Sequence, residues 1–287
     1  MKILITGAHG QLGLETSLAF KASGFDVTSV GRNEIDFLQP IKVTKSIVSF
    51  APDWIINCAA YTQVDNAEDQ PEQAFLINRD SARAVAEAAK QCHSRLLHVS
   101  TDFIFCGSHA KPYTEIEPAH PLGIYGQSKL EGEQAIREVL PDALIVRTAW
   151  VYSTYRQNFV KTVLRLAAER SELKVVDDQL GTPTWTRDIT QAMHRLITIN
   201  ASGTFHFTNE GVASWYDFAH EIITIAKQLN YPVKLQKIYP ISTKEYVTVA
   251  TRPAYSVLNK EKIRAVLNYD IPHWRTSLFK MLQEMRP

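Results

Sequence analysis

Through roughly the first 150 residues, short apolar runs alternate with longer stretches in which apolar residues recur every three or four positions. The runs KILIT (2–6), DVTSV (26–30), DWIINCA (53–59), RLLHVS (95–100) and ALIVRT (143–148) predict strands. They read as apolar on both faces, as parallel strands covered by helices are. Between them, residues 11–23, 41–50, 72–91 and 125–139 carry the helical period. Strand alternating with helix predicts an α/β fold built on a doubly wound, Rossmann-type parallel sheet.

After Trp150 the pattern loosens. Residues 159–170, 187–199, 215–229 and 274–285 predict helices, and LKVVD (173–177), GTFHF (203–207) and VKLQKI (233–238) predict short strands. The division expected is a dinucleotide-binding domain over 1–150, to which the chain returns in part of 151–210. Residues 151–287 mainly form a smaller substrate-binding portion lying across the C-terminal edges of the sheet, where open α/β folds bind their ligands.

Composition narrows the partners. Lys and Arg number 31 against 30 Asp and Glu, and no basic run interleaved with aromatics occurs, so nucleic acid is not an expected partner. The first predicted strand begins at Lys2, which leaves no room for a leader, and no stretch of about 18 apolar residues suggests a membrane span. The three cysteines form no C-x-x-C pair and no even framework, as in a reduced, cytoplasmic protein.

Candidate chemistry starts at ILITGAHGQLG (3–13), where a strand runs into Gly7, Gly10 and Gly13 and a helical stretch follows. Gly7 permits a tight turn, Gly10 lets backbone N–H groups approach a pyrophosphate, and Gly13 lets helix and strand pack closely. The alternative is a purely structural turn; position at the first β-to-α junction favours a nucleotide. About 20 residues further on, a site for NADH would place an acid against the ribose. Here the strand ends in Gly31 and Arg32. Arg32 either pairs with the 2′-phosphate of NADPH or stands as a solvated loop cation. Asp36 is expected to address the adenine side.

Tyr125 and Lys129 stand four residues apart on a predicted helix, so they share a face and the ammonium can lower the phenol pKa. A bare Y-x-x-x-K occurs by chance, but this one heads the helix leading into ALIVRT. At the end of RLLHVS, Ser100 to Asp102 place hydroxyls at a strand terminus facing the ligand crevice, where they can hold a substrate carbonyl or merely cap a turn. The nine histidines show no ligand spacing, so no metal is expected, and no G-x-S-x-G elbow supports a hydrolase.

The segments GAHGQLG, CAAYTQVDNAE (58–68), VSTDFIFCG (99–107), KPYTEIEPAHPLGIYGQSKLEGE (111–133), VRTAWVYS (146–153), DQLGTPT (178–184) and TRPAYSVL (251–258) closely resemble the dTDP-4-dehydrorhamnose reductases. These are extended short-chain dehydrogenase/reductases, a group in which the G-x-x-G-x-x-G spacing is typical. The resemblance runs from residue 1 to about residue 280. It implies NADPH- or NADH-dependent reduction of the C4 ketone of a dTDP-4-keto-6-deoxyhexose, for a surface polysaccharide. Tyr125 would protonate the developing alkoxide, Lys129 would bind the nicotinamide ribose and lower the Tyr pKa, and Thr101 would hold the carbonyl oxygen. Gln11, Leu12, Ala59, Ala60 and Tyr61 would lie along the cofactor. Thr62 to Val64, Phe103 and Trp150 would border the sugar, although Trp150 read alone is a large core residue.

Departures from the family pattern fall at Cys106, Gly123 and Ser153, where Asp, Asn and Gly are usual; none removes a catalytic group. A homodimer is allowed by the resemblance. Glu15 matches one acidic position of a Mg2+ site found at a dimer contact in some relatives, without matches for the others. Two rivals remain at this stage. One is a non-catalytic cofactor-binding subunit on the same fold, and the other is a nucleotide-sugar epimerase or dehydratase needing further acid/base groups, for which Asp102 and Glu115 are not obviously placed.

Overall fold

The first apolar run forms β1 (Lys2–Thr6), and the glycine loop turns the chain into α1 (Gln11–Ala22) in the computed structural model, which describes residues 1–286. Next come β2 (Asp26–Val30), α2 (Pro40–Phe50), β3 (Trp54–Asn57), α3 (Val64–Asp69), α4 (Pro71–Phe75) and a π-helical turn at Leu76–Asp80. They are followed by α5 (Ser81–Cys92), β4 (Arg95–Thr101), α6 (Ile124–Val139) and β5 (Leu144–Thr148). The rest supplies β6 (Val151–Tyr152), α7 (Phe159–Glu169), β7 (Glu172–Val176), β8 (Leu180–Gly181), β9 (Thr184–Trp185) and α8 (Thr186–Thr198). The chain closes with β10 (Gly203–His206), β11 (Ala213–Ser214), α9 (Trp215–Gln228), β12 (Lys237–Ile241), α10 (Glu261–Arg264) and α11 (Trp274–Glu284).

Six strands form one parallel sheet in the order β2-β1-β3-β4-β5-β10. The strand order reverses between β1 and β3, so the crevice that such a reversal opens lies at the ends of those two strands. β3 and β5 are buried at every position, as strands covered on both faces should be. β2 departs from that reading: it is one of the two edge strands, and Asp26 and Thr28 face solvent.

One face of the sheet is covered by Val43 and Ile47 of α2, Ile136 of α6 and the alanine-rich flank of α5, whose short side chains let that helix lie close. The other face is covered by Leu12 and Phe20 of α1 together with Ile189, Met193, Leu196 and Ile197 of α8. A second core gathers α7, α9 and α11 around Tyr152, Trp185, Phe218 and Trp274. α9 is started by a reciprocal capping box, Ser214 with Asp217.

Two predicted elements change shape. The helix predicted over 72–91 runs unbroken from Pro71 to Cys92 but contains a π turn at Leu76–Asp80, whose extra residue per turn brings Asn78 into the interior. There the Asn78 amide takes the Tyr61 N–H and donates to the Tyr61 carbonyl and Ser128 Oγ. The last short strand occupies 237–241 rather than 233–238, because the N–H groups of Lys234 and Leu235 are already given to the Ala167 carbonyl at the end of α7.

Candidate active site

A cavity of about 980 Å3 opens at the reversal point, lined by the glycine loop on one side and by the ends of β4 and β5 and the head of α6 on the other. Gly7 adopts φ +65°, and a Cβ there would lie 2.6 Å from the Ala59 nitrogen. A Cβ on Gly13 would sit 2.3 Å from the Gly7 carbonyl oxygen, so only glycine lets α1 start this close to the loop. The N-cap of α1 is Gly10, with no side-chain cap and no acid in the first turn. Its first N–H groups are therefore left for an anion, with the positive end of the helix dipole behind them.

Of the residues predicted for the site, Gly7, Gly10, Gln11, Leu12, Gly13, Arg32, Ala59, Ala60, Thr62, Val64, Thr101, Phe103, Tyr125, Lys129 and Trp150 all line this cavity. Two do not. The Asp36 carboxylate accepts from the Leu38 N–H and the Gln39 amide, which hold it below the usual carboxylate range. Tyr61 points into a small buried cluster with Ala67 and Ala74, and its hydroxyl donates to Gln70. Glu15 is buried, with its oxygens bonded to Thr186 and Arg187, and a metal ligand set is not found around it among the described residues.

Tyr125 stands on the first turn of α6, which begins uncapped at Gly123. Its ring meets Phe103 edge-on at 5.5 Å, and the neighbouring Thr101 side chain acts to lower the pKa of its hydroxyl. Thr101 donates to Asp102 Oδ1 at 3.1 Å and accepts from the Phe103 N–H at 3.2 Å. Burial pushes the Tyr125 phenol up to about 12, with the Asp102 charge adding to the rise.

The expected help from Lys129 is not direct. Its Nζ lies 2.8 Å from the Val99 carbonyl oxygen and 3.1 Å from His98 Nε2, bonds that tie it to β4 rather than to the phenol. Burial lowers Lys129 to about 8. Asp102, almost fully buried, is raised to about 6 by loss of solvent, opposed by the neighbouring Ser256 side chain and by the hydrogen bond from Thr101. Asp102 lines the cavity, whereas Glu115 is occupied by the His206 N–H.

Several lining groups carried no local sequence signal. Thr148 faces the site because β5 pairs with β4 in a register that sets it against Thr101. Ser100 Oγ, Asp102 Oδ2 and Thr148 Oγ1 are buried without a hydrogen-bond partner and all belong to cavity-lining residues. Unmet polar groups of this kind fit a polar ligand lodged between the strand ends. The fit extends to a dinucleotide: glycine cradle, free helix terminus and Arg32 all line the same opening.

The TRPAYS segment also reaches the cavity. Arg252 lines the cavity and forms a two-pronged pair with Asp65, at 2.7 and 3.1 Å. Trp150 takes a left-handed φ of +45° and stacks on Trp215 at 3.6 Å with a 7° interplanar angle. It is thus a strained wall of the cavity and not ordinary core.

With that geometry in place, likeness to known proteins is informative. The family model described as "RmlD substrate binding domain" matches residues 1–286. A dTDP-4-dehydrorhamnose reductase of Sinorhizobium fredii is 39% identical, covering 98% of this chain and 97% of the relative. The spore coat polysaccharide biosynthesis protein SpsK of Bacillus subtilis is 38% identical over 99% of this chain and 97% of its own length. The crystal structure of dTDP-4-dehydrorhamnose reductase from Bacillus anthracis in complex with NADP superposes with a TM-score of 0.93 at 36% identity, covering 99% of each chain. By full-length match in both sequence and fold, the chain belongs to the dTDP-4-dehydrorhamnose reductase family.

Proposed function

We propose that this chain reduces the C4 ketone of dTDP-4-dehydrorhamnose to the alcohol, giving dTDP-L-rhamnose for a surface polysaccharide, with NADPH or NADH as reductant. The observation that carries the reading is the convergence of a protonated phenol, a threonine hydroxyl and the glycine cradle on one cavity. The reduced dinucleotide, when bound, supplies the hydride. Gly7, Gly10 and Gly13 with the start of α1 would hold its pyrophosphate, and Arg32 would meet a 2′-phosphate.

The chain's own contribution is a proton and its placement. Reduction of a ketone develops negative charge on oxygen, and an acid must be protonated to meet it. A phenol held at about 12 is fully protonated at neutral pH and remains acidic enough to give its proton to an alkoxide. Thr101 positions that hydroxyl and can turn its own proton toward the phenolate left behind. Trp150, Val64 and Phe103, which line the cavity, would wall the sugar side.

This reading places the reaction in the cytoplasm, where reduced nicotinamide is supplied, and calls for neither nucleic acid nor membrane. Among the described residues no helix is long and apolar enough to cross a membrane. The test is oxidation of NADPH and of NADH by the chain with dTDP-4-dehydrorhamnose, with UDP- and GDP-linked ketosugars in parallel. Turnover greatest with the dTDP sugar is expected. No oxidation with any ketosugar, at normal cofactor binding, would favour the non-catalytic subunit.

A further inference from the structure

Among the described residues three arginines line the cavity: Arg32, Arg156 and Arg252. Arg252 is spent on Asp65, and Arg32 follows β2, where a 2′-phosphate would lie. Arg156 belongs to the connection between β6 and α7 and meets the glycine loop directly: its Nε donates to the His9 carbonyl at 2.8 Å. No carboxylate of the described residues pairs with it, and that bond is the only one its guanidinium makes among them, so both Nη groups keep their protons free to donate.

The connection is built to hold that side chain in place. Asn158 caps α7 by accepting the Lys161 N–H at 3.2 Å, while its amide donates to the Ser153 carbonyl at 2.8 Å and to Gln11 Oε1 at 3.1 Å. Gln11 is the first residue of α1. Lys161 Nζ fastens the Thr154 carbonyl at 2.7 Å. Residues 153–158 are thereby fixed against the start of α1 through Arg156 and Asn158. Arg156 itself takes φ +58°, a left-handed conformation that costs an arginine more than a glycine. The residue is exposed, so burial does not offset that cost. A strained position that glycine would fill more easily, occupied instead by a free cation at a cavity, points to a ligand.

We propose that Arg156 is a phosphate-binding residue: anchored through Nε to the His9 carbonyl, it turns its Nη fork to the pyrophosphate of the dinucleotide, opposite the N–H groups that open α1. The start of α1 offers an anion backbone N–H groups and a partial charge but no full cation. A guanidinium adds that charge in a planar fork that matches two phosphate oxygens, and it does so from the C-terminal portion of the chain, outside the glycine loop. The dTDP sugar carries a diphosphate too. The bond to His9 favours the cofactor, because that carbonyl belongs to the loop from which α1 starts.

The proposal rests on the reading of the glycine loop as a dinucleotide site, and the experiment separates the two. Dissociation constants for NADPH, NADH and dTDP would be measured on the full chain at low and high salt. Arg156→Gly removes the cation and relieves the left-handed backbone, whereas Arg156→Gln keeps an N–H for the His9 carbonyl but no charge. In both variants NADPH and NADH should weaken equally, by roughly tenfold at low salt, with dTDP bound as before. The salt dependence of cofactor affinity should shrink in both, since one screened contact is gone. Should Arg156→Gly not fold, Arg156→Gln carries the test. Unchanged affinity for both cofactors would overturn the proposal. A loss confined to NADPH would overturn it by placing Arg156 at the 2′-phosphate, and a loss confined to dTDP by placing it at the sugar nucleotide. Wild-type affinity in Arg156→Gln beside a loss in Arg156→Gly would reduce the residue to a tie between two loops. Failure of the wild-type chain to bind either cofactor would instead overturn the dinucleotide reading beneath it.

Discussion

Replacing Tyr125 by Phe removes one oxygen from a site whose packing needs only the ring. The ring keeps its edge-on contact with Phe103 and its place beside Tyr61 and Ile77. Thr101, the phenol's neighbour, keeps its bonds to Asp102 and to the Phe103 N–H, so no buried polar atom is stranded. Folding stability should therefore change by no more than about 1 kcal/mol. Loss of a positioned general acid costs roughly a hundred- to ten-thousandfold in rate. At 1.36 kcal/mol per decade the barrier should rise by about 3–5 kcal/mol. Following reduced nicotinamide by absorbance under saturating sugar would show a fall in kcat of that size. NADPH affinity by fluorescence titration should stay within about threefold. A variant with kcat near that of the wild type would refute the assignment of the proton donor, as would a loss confined to KM.

Three further outcomes follow from the same coordinates. Asp102 keeps its proton to about pH 6 when folded, against an ordinary 3.8, so between those values the folded chain binds more protons than the unfolded one. Stability should then be highest below about pH 4 with respect to this group and decline as pH rises through 6, by about 2–3 kcal/mol in all. Asp102→Asn should accordingly raise the thermal midpoint at pH 7 by several degrees and hardly at all at pH 4; equal gains at both would contradict it. Arg32→Ala should weaken NADPH about tenfold while sparing NADH, read from paired dissociation constants, and equal losses would assign Arg32 to the solvated loop. Gly13→Ala forces a methyl within 2.3 Å of the Gly7 carbonyl. It should cost about 1–3 kcal/mol of stability and lower affinity for both cofactors, whereas an unchanged melting curve would show that the loop yields freely.

Much of the fold was legible because its signals are local. Strands buried on both faces, such as β3 and β5, announce themselves as apolar runs, and the glycine spacing of the first loop reflects contacts made within a few residues. What escaped depends on distant partners. The edge position of β2 is a property of its neighbours, and the π turn at 76–80 exists so that Asn78 can reach Tyr61 and Ser128. Tyr61, placed along the cofactor by the resemblance alone, has its backbone bonded to Asn78 and its ring in the cluster with Ala67 and Ala74, a placement no local spacing encodes. The Asp36 carboxylate likewise makes its bonds two and three residues along the chain. Arg156 reaches the His9 carbonyl from 147 residues away, and no motif in the sequence encodes that bond.

The measurement that bears most directly on the proposed chemistry is the fate of the hydride. The chain would be given NADPH deuterated at C4 of the nicotinamide and dTDP-4-dehydrorhamnose, and the sugar product examined by NMR and mass spectrometry. A single deuterium at C4 of the sugar is predicted, with the new hydroxyl proton drawn from solvent and the transfer suppressed in Tyr125→Phe. A sugar recovered without deuterium, from protein that binds both ligands, would contradict the assignment of this cavity as a reductase site.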